Sequence, residues 1–385
     1  MSFDNEVLLT PGPTHIPERV FKAMHKPKLH HRTKVFEEFF VEASEGFRRL
    51  TKSKNWPVFI SGSGTAAMEA ALLNSCRKND QIIVLNAGKF GERWIHIAHR
   101  LGLKVLELKA QCGESVALEN IKETLVNSGD IRAVCMQFCE TSTTVELPVK
   151  QICSMIKNYK PEVLTIVDAV SALGTTEIHF DKIAIDILAG AGHKGLMLPP
   201  GLAMLSLSDY AWQCVDEINT PSLYFDLKLE RNAALKKTTA WTPAVNHIVG
   251  LCESLKMINE EGEANVYRRH LLFSKALQSA IRSMGLKLMT EAHPSAGVTG
   301  AYTPEKFNAE RIREMMLNEF AVRIAGGQEE LNGKVLRFGH MGYCSNTDII
   351  KGINALEHSL LKLKLLHNEV HAADTASKIL NEALK

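Results

Sequence analysis

Between about residues 58 and 206, short apolar runs alternate with stretches of helical period, and this pattern most limits what the chain can fold into. The runs are WPVFI, QIIVLN, LKVLELKA, AVCMQF, VLTIVDAV, IDILAG and GLAMLSLS. They are apolar on successive residues, which is typical of strands covered on both faces. Such strands, separated by helices, predict a mostly parallel seven-stranded sheet with helices on each side. Ligands bind at the carboxyl ends of the strands in such sheets, so motifs directly after a strand become candidates for a site.

A second, smaller domain is predicted after the sheet region. A long helix is expected from about Pro243 to Ser283, with a break near Glu261–Glu263. Beyond it, the runs KLMTEA, VRIAGG and KVLRFGH surround a helical stretch at EKFNAERIREMMLNEF, which is typical of an α+β unit. A chain of 385 residues is long enough for two domains of unequal size. We therefore predict an α/β fold with a large domain over residues 21–250 and a small C-terminal domain over residues 251–385.

The charge balance gives no sign of a nucleic-acid or membrane partner. The chain has 45 Lys and Arg against 43 Asp and Glu, a formal net charge of +2. No apolar run reaches the roughly 18 residues that span a bilayer, and the segment MSFDNEVLLT does not read as a secretory signal. The eight cysteines form no Cys-x-x-Cys pair, so neither a disulfide framework nor a metal site is expected. These features favour a soluble, cytoplasmic protein.

A glycine-rich loop lies in FISGSGTAAMEAAL, where a strand leads through Gly62 and Gly64 into a helix that begins near Thr65. Backbone N–H groups at the start of a helix bind anions, and the hydroxyls of Ser63 and Thr65 are further donors. The alternative is a tight strand-to-helix turn without a ligand. The loop is neither a Walker loop nor a dinucleotide fingerprint, because it lacks the following Lys and the Gly-x-Gly-x-x-Gly spacing.

Three charged residues also follow or occupy predicted strands. Asp168 ends the run VLTIVD, where it is either a helix N-cap or a carboxylate that faces a protonated ring nitrogen. Lys194 lies between Gly192 and Gly195, and a buried lysine there would have a lowered pKa and act as a Schiff-base nucleophile. Arg337 stands in an apolar strand and needs a carboxylate partner, which is either a substrate or an internal acid.

Together these elements are consistent with one binding site for a cofactor and a substrate. An anion cradle, an acid for a ring nitrogen, an amine for an aldehyde and a guanidinium for a carboxylate match pyridoxal phosphate with an amino acid.

Ten ordered motifs with compatible spacing strengthen this interpretation. They are LTPGPT, HHR at 30–32, SGSGTAAMEAAL, NAGKFGERW, ETSTTVELPV, VDAVSALG, HKGLMLPPGLA, WTPAVNHI, AGGQ and RFGHMG. In these motifs the chain resembles the class V aminotransferases of pyridoxal-phosphate fold type I, in the alanine–glyoxylate and serine–pyruvate branch. The resemblance covers nearly the whole chain and implies that residues 1–20 form an N-terminal arm that reaches the active site.

The resemblance implies a role for each matching position around the cofactor ring. Lys194 would link to the cofactor and then move the proton between the substrate Cα and the cofactor C4′. Asp168 would pair with the pyridinium nitrogen. Phe90 would stack on one face of the ring, and Val170 would pack on the other. Thr141 would lie near the ring's 3-hydroxyl and Asp168.

The remaining implied roles concern the phosphate and the substrate. Ser63, Gly64 and Thr65 would hold the phosphate, and Thr239 and Thr242 would reach the phosphate of the partner subunit, which implies a homodimer. Arg337 would bind the substrate α-carboxylate, with the Gly12 backbone closing the cavity nearby.

Two positions depart from the family pattern. His193 stands where the family commonly has Gln. It could donate the same hydrogen bond to the phosphate, and an altered affinity for the cofactor is expected. Thr144 stands where a Gly is usual, and a slightly reshaped loop is expected. Neither change touches Lys194 or Asp168, so the chemistry is expected to survive.

The expected reaction is a two-step ping-pong transamination from alanine or serine to glyoxylate or pyruvate. No second basic residue for a dicarboxylate side chain stands out in the motifs, which favours a small substrate. Four alternatives stay open. They are a transaminase for aminoethylphosphonate or ureidoglycine, a desulfurase for which Cys344 is the cysteine nearest Arg337 in sequence, a non-catalytic subunit of a larger complex, and a nucleotide-binding Rossmann protein.

Overall fold

The structure is a computed structural model that describes residues 6–25 and 29–381. The strands of this part of the chain are β1 (Val7–Leu9), β2 (Val58–Gly62), β3 (Gln81–Asn86), β4 (Lys104–Lys109), β5 (Ile131–Gln137), β6 (Cys139–Glu140), β7 (Val145–Glu146), β8 (Leu164–Asp168), β9 (Ile187–Ala191), β10 (Gly201–Leu207), β11 (Val298–Tyr302), β12 (Val322–Gly326) and β13 (Val335–Gly339). The helices are α1 (Glu18–His25), α2 (Lys34–Thr51), α3 (Gly64–Ser75), α4 (Lys89–Arg100), α5 (Leu118–Asn127), α6 (Val149–Tyr159), α7 (Asp209–Asp216), α8 (Leu227–Ala234), α9 (Val245–Glu261), α10 (Glu263–Ser283), α11 (Ala309–Phe320), α12 (Asn346–Lys362) and α13 (Ala372–Asn381). None of these helices is long and apolar enough to cross a membrane.

The predicted seven-stranded sheet is confirmed. Its strand order is β2-β10-β9-β8-β5-β3-β4, and every pair in it is parallel except those that β10 makes with β2 and β9. The apolar runs are continuous because both faces are buried. In β5, Val134 and Met136 join a core with α2, α6 and α9, whereas Ala133 and Cys135 join a second core with α3, α4 and α7.

A four-stranded sheet of order β1-β12-β13-β11 forms the centre of the smaller domain. The N-terminal strand β1 lies parallel to β12, with Val7 opposite Val322. Phe338 and Leu336 of β13 pack with α10, α11 and α12 in a separate core. The N-terminal segment therefore belongs to the small-domain sheet and leads from there toward the large domain.

The long helix is interrupted where the sequence predicts a break. α9 ends and α10 begins at Gly262, whose φ of +86° suits a residue without a side chain. α9 runs unbroken across residue 250, and its Leu251 and Ile258 are buried in the large-domain core. The boundaries at residues 20 and 250 stay a prediction, and the packing of α9 favours Gly262 as the division between the two larger parts.

Candidate active site

The candidate residues lie at one edge of the seven-stranded sheet. β2 is antiparallel to β10, and β10 is antiparallel to β9, so β2, β8 and β9 all end at the same edge. Asp168 is the last residue of β8, and Lys194 follows β9 by a short loop. The glycine-rich loop follows β2, and Phe90 follows β3 in the first turn of α4. The parallel arrangement of these strands thus brings together residues that are far apart in sequence.

Lys194 is buried, with 7% of its surface exposed. Its Nζ donates a hydrogen bond to Ser171 Oγ at 3.1 Å, and the Thr14 hydroxyl donates to its backbone carbonyl at 2.8 Å. Gly12 lies so close that an added Cβ would stand 2.5 Å from the lysine Cε. Burial lowers the pKa of Lys194 to about 8. The amine is therefore held in place and is closer to its neutral, nucleophilic form than a surface lysine.

Asp168 is also buried and has one bonded oxygen. Its Oδ1 accepts a hydrogen bond from the N–H of Val170 at 2.8 Å, and the other oxygen accepts none from the described residues. Burial raises the pKa of Asp168 to about 6, against the opposing effects of that hydrogen bond and of the positive charges of Lys194 and Arg93. A cationic partner at the free oxygen would hold the carboxylate in its ionised form.

Gly64 and Val170 touch, and Phe90 faces the lysine. An added Cβ on Gly64 would lie 2.6 Å from Val170 Cγ2, so a residue with a side chain would displace Val170. The centroid of the Phe90 ring is 5.6 Å from Lys194 Nζ. An apolar side chain and an aromatic ring therefore both lie in the neighbourhood of the amine.

The glycine-rich loop leaves donors free at the start of α3. Ser63 is the N-cap residue, and its hydroxyl makes no capping hydrogen bond. The first N–H groups of a helix have no partner within it, so those of Gly64 and Thr65 are available to an anion. The Thr65 hydroxyl accepts a hydrogen bond from Arg93 Nη1 at 3.3 Å.

His193 and Thr144 are the two positions that depart from the family pattern. His193 Nδ1 is buried without a hydrogen-bond partner in the described residues, and burial lowers the pKa of the ring to about 4. The ring is therefore neutral at physiological pH, and its Nδ1 can still form a hydrogen bond. Thr144 has a φ of +62°, a left-handed conformation that glycine adopts at lower cost.

Arg337 is buried and binds backbone rather than an acid. Its Nε donates to the Gly326 carbonyl at 2.8 Å, and its Nη1 donates to the Thr141 carbonyl at 2.9 Å. No carboxylate of the described residues lies within 4.0 Å of it, although the charge of the buried Glu140 acts on the guanidinium from farther away. The choice between a substrate and an internal acid as its partner stays a prediction. Burial lowers the pKa of Arg337 to about 10. A buried cation without a counter-ion is a binding site for an anion.

One cavity of about 640 Å³ is bordered by some of these groups, whereas Ser63, Gly64, Thr65, Asp168, Val170 and His193 are not among its lining residues. Its lining includes five predicted site residues, namely Gly12, Phe90, Thr141, Lys194 and Arg337. Thr239 and Thr242 do not line it. The Thr239 hydroxyl instead donates to the Trp241 carbonyl at 2.5 Å, and Thr242 is exposed. Within one chain, therefore, the two threonines stand apart from the lysine.

Four residues of the site escaped sequence reasoning: Thr14, Arg93, Glu140 and Ser171. The Ser171 hydroxyl lies 2.6 Å from the Thr141 hydroxyl and also accepts from Lys194 Nζ, so it links the two. Ser171 stands within the VDAVSALG motif, and its position directly after the apolar run VLTIVDAV was the only signal for it.

Glu140 is a fully buried carboxylate that is hydrogen-bonded to two segments of the site. It accepts hydrogen bonds from the N–H groups of Phe90, Gly91 and Ser142 at 3.0–3.2 Å and from the Ser142 hydroxyl at 2.5 Å. Burial raises the pKa of Glu140, and these hydrogen bonds oppose that effect. The carboxylate therefore fixes the first turn of α4, which carries Phe90, against the loop that carries Thr141.

We expect Glu140→Ala to destabilise the protein by about 3 kcal/mol, because several buried donors would lose their acceptor at once. The free energy of unfolding in urea, followed by circular dichroism at matched protein concentration, measures the effect. Glu123→Ala on α5 is the control, since Glu123 is exposed, and it should change stability by less than about 0.5 kcal/mol. Equal effects of the two substitutions would contradict the structural role of Glu140.

Comparison with known proteins gives a consistent picture. A family model described as Aminotransferase class-V matches residues 7–339, a range that includes every residue of the cavity discussed above. The soluble hydrogenase 42 kDa subunit of Anabaena cylindrica is 34% identical over 94% of this chain and 94% of its own length. The L-aspartate–glyoxylate aminotransferase of Paracoccus denitrificans is 31% identical over 95% of this chain and 93% of its own. The crystal structure of ureidoglycine–glyoxylate aminotransferase from Bacillus subtilis superimposes with a TM-score of 0.90 and 28% identity, covering 97% of both chains.

Proposed function

Because this chain belongs to the class V aminotransferase family, we propose that it transfers the amino group of alanine or serine to glyoxylate or pyruvate with pyridoxal phosphate as cofactor. The observation that carries the proposal is the buried amine of Lys194 in the same cavity as the buried guanidinium of Arg337, which forms no ion pair with a carboxylate of the described residues. The amine suits an aldehyde cofactor, and the guanidinium suits the α-carboxylate of an amino acid.

The residues present fit pyridoxal phosphate. Asp168 has a free oxygen for a ring nitrogen, and His193 has an unsatisfied buried nitrogen beside Lys194. Gly12 and Gly64 allow Lys194 and Val170 to approach the backbone closely, which a side chain at either glycine would prevent. When bound, pyridoxal phosphate supplies an electron sink that stabilises negative charge on the substrate Cα.

Lys194 is proposed to hold the cofactor and to move a proton. Its lowered pKa keeps part of the free amine neutral, as attack on an aldehyde requires. With the cofactor and an amino acid bound, the same amine would move the proton between the substrate Cα and the cofactor C4′. Ser171 accepts from Nζ and orients the amine, while Thr141 holds Ser171.

Three residues are proposed to hold the ring. Asp168 would keep the ring nitrogen protonated through charge pairing, which is strengthened by the burial of the carboxylate. Phe90 stacks on one face, and Val170 packs against the other. The backbone N–H of Phe90 is bound to Glu140, which limits the orientations available to the Phe90 ring.

The phosphate is proposed to bind at the start of α3. Ser63, Gly64 and Thr65 donate from hydroxyl and backbone groups, and His193 adds a ring nitrogen. Thr239 and Thr242 of the partner subunit complete the set in a homodimer. The exposed apolar side chains of Leu223 (70%), Tyr224 (42%) and Leu235 (73%) support an interface in this region of the chain.

The free thiols of the described residues suit a reducing compartment such as the cytoplasm.

Arg337 is proposed to bind the substrate α-carboxylate, with Gly12 closing the cavity beside it. The guanidinium is already fixed by two backbone carbonyls, so it loses little freedom when the carboxylate binds.

A donor with a second acidic group is the alternative substrate class. Arg313 and Arg323 also line the cavity, which the sequence motifs did not indicate. Arg313 pairs with Glu310 and donates to the Ile324 carbonyl, and Arg323 pairs with Glu6. Their charges favour an anionic side chain, and the relative from Paracoccus denitrificans is named for L-aspartate.

The desulfurase alternative is disfavoured by the thiol of Cys344. Burial raises the pKa of this thiol to about 12, so it is protonated at neutral pH and a poor nucleophile. The Rossmann alternative is excluded by the family. The non-catalytic subunit remains a competitor because one relative is named as a hydrogenase subunit, but an intact Lys194 and Asp168 favour catalysis.

The first test is the absorbance spectrum of the purified protein supplied with pyridoxal phosphate. We expect a band of lysine-linked cofactor that shifts when alanine or serine is added and returns when glyoxylate or pyruvate follows. Aspartate is the probe for the alternative substrate class, and a faster shift with aspartate than with alanine would favour it. If no band forms after the cofactor is supplied, the enzyme proposal fails and the non-catalytic subunit takes its place.

A further inference from the structure

Arg93 lies next to the proposed phosphate site without an assigned role. It stands on α4, one turn after Phe90, and its guanidinium carbon is 4.8 Å from the centroid of the Phe90 ring. Its Nη1 donates to the Thr65 hydroxyl at 3.3 Å. The side chain is half-buried, so its charge is less screened than that of a surface arginine.

The guanidinium of Arg93 has no counter-ion in the described residues, where no carboxylate lies within 4.0 Å of it. Arg313 and Arg323, by contrast, are both paired with acids. An arginine has five N–H donors, and Arg93 uses one of them on Thr65. Most of its donors are therefore available to an anion.

The proposed phosphate site otherwise lacks a positive charge. Ser63, Gly64 and Thr65 offer only neutral donors, and the ring of His193 is neutral at physiological pH. A phosphate monoester carries between one and two negative charges at pH 7. Charge-assisted hydrogen bonds to an anion are stronger than those from neutral donors, and the guanidinium of arginine is well matched to phosphate.

We propose that Arg93 supplies the positive charge for the cofactor phosphate, binding its oxygens beside Thr65. The inference rests on the proposed function, because it takes pyridoxal phosphate as the ligand. Arg93 would then be a cofactor-binding residue on the large domain of the same subunit, independent of the threonines contributed by the partner. Its stacking on Phe90 would also connect the phosphate site with the aromatic residue that covers the ring.

A purely structural role of Arg93 makes a different prediction. If the guanidinium only packs Phe90 and Thr65 in place, its loss should weaken every ligand of the ring, with or without a phosphate. If it binds phosphate, its loss should weaken only the phosphorylated ligand. Pyridoxal, which lacks the phosphate group, therefore separates the two roles.

The experiment compares cofactor affinities of the full-length apoprotein and its variants. Pyridoxal phosphate and pyridoxal are titrated separately into wild type, Arg93→Gln and Arg93→Lys, and the absorbance of the linked ligand is followed. We expect Arg93→Gln to lower affinity for pyridoxal phosphate at least about tenfold and to leave affinity for pyridoxal unchanged, with Arg93→Lys between. Inorganic phosphate should compete with pyridoxal phosphate in wild type at lower concentrations than in Arg93→Gln.

Arg100→Gln is the matched control, since Arg100 is exposed on the same helix and its loss should alter neither affinity. Circular dichroism verifies that each variant is folded. Equal losses for both ligands, or no loss in Arg93→Gln, would overturn the inference while leaving the proposed function intact. Failure of wild type to bind pyridoxal phosphate would instead overturn the proposed function and this inference with it.

Discussion

Replacing Lys194 by alanine should lower the rate of transamination by at least about 10³-fold, because the variant lacks both the covalent attachment point and the proposed base. The residue is buried beside Gly12 and bonded to Ser171, so its amine has a fixed position in the cavity. Single-turnover absorbance with alanine, after pyridoxal phosphate has been added, measures the rate directly.

Two controls accompany the lysine variant. Lys150→Ala removes an exposed lysine on α6 and should leave the rate unchanged. The band of the linked cofactor should be present in wild type and Lys150→Ala and absent in Lys194→Ala, whose circular dichroism should match that of wild type. A folded Lys194→Ala protein that turns over alanine at the wild-type rate would refute the assignment.

Arg337→Gln should lower kcat/KM for alanine by about 10²-fold or more, since the buried guanidinium could no longer form a charge-assisted pair with the α-carboxylate. Ethylamine, which is alanine without its carboxylate, should react slowly and at the same rate with wild type and variant. The comparison isolates the carboxylate contact from other effects of the substitution.

The same variant also removes the hydrogen bonds to Gly326 and Thr141, so a structural contribution has to be separated. The affinity for pyridoxal phosphate is the second measurement, and it should not change. A parallel loss of rate with alanine and ethylamine would mean that Arg337 maintains the shape of the site and does not bind the substrate.

The sequence predicted the large-domain sheet well because two-sided burial makes each strand a continuous apolar run. It could not show that β10 runs antiparallel to its neighbours, since burial on both faces produces the same run in either direction. β1 was missed as a strand because three residues carry too little pattern. The break at Gly262 was detectable because the polar run around it interrupts the helical period.

The chemistry of the site was predictable only in part. Lys194 and Asp168 stand directly after strands and inside recognisable motifs. Thr14 and Glu140 act through contacts that no local pattern encodes, such as the hydrogen bond from Thr14 to a carbonyl 180 residues away. Arg313 was missed because an arginine three residues after Glu310 is typical of an exposed helix pair.

The pairing of β1 with β12 sets a limit on when the active site can assemble during biosynthesis. Val7 is made 315 residues before its partner Val322. At roughly 5–20 residues per second, the N-terminal segment waits on the order of tens of seconds for its place in the small-domain sheet. Gly12 and Thr14, which hold Lys194, follow directly from β1. The strands of the seven-stranded sheet are all made before Val322, whereas the cavity around the lysine can close only after Val322 has been made.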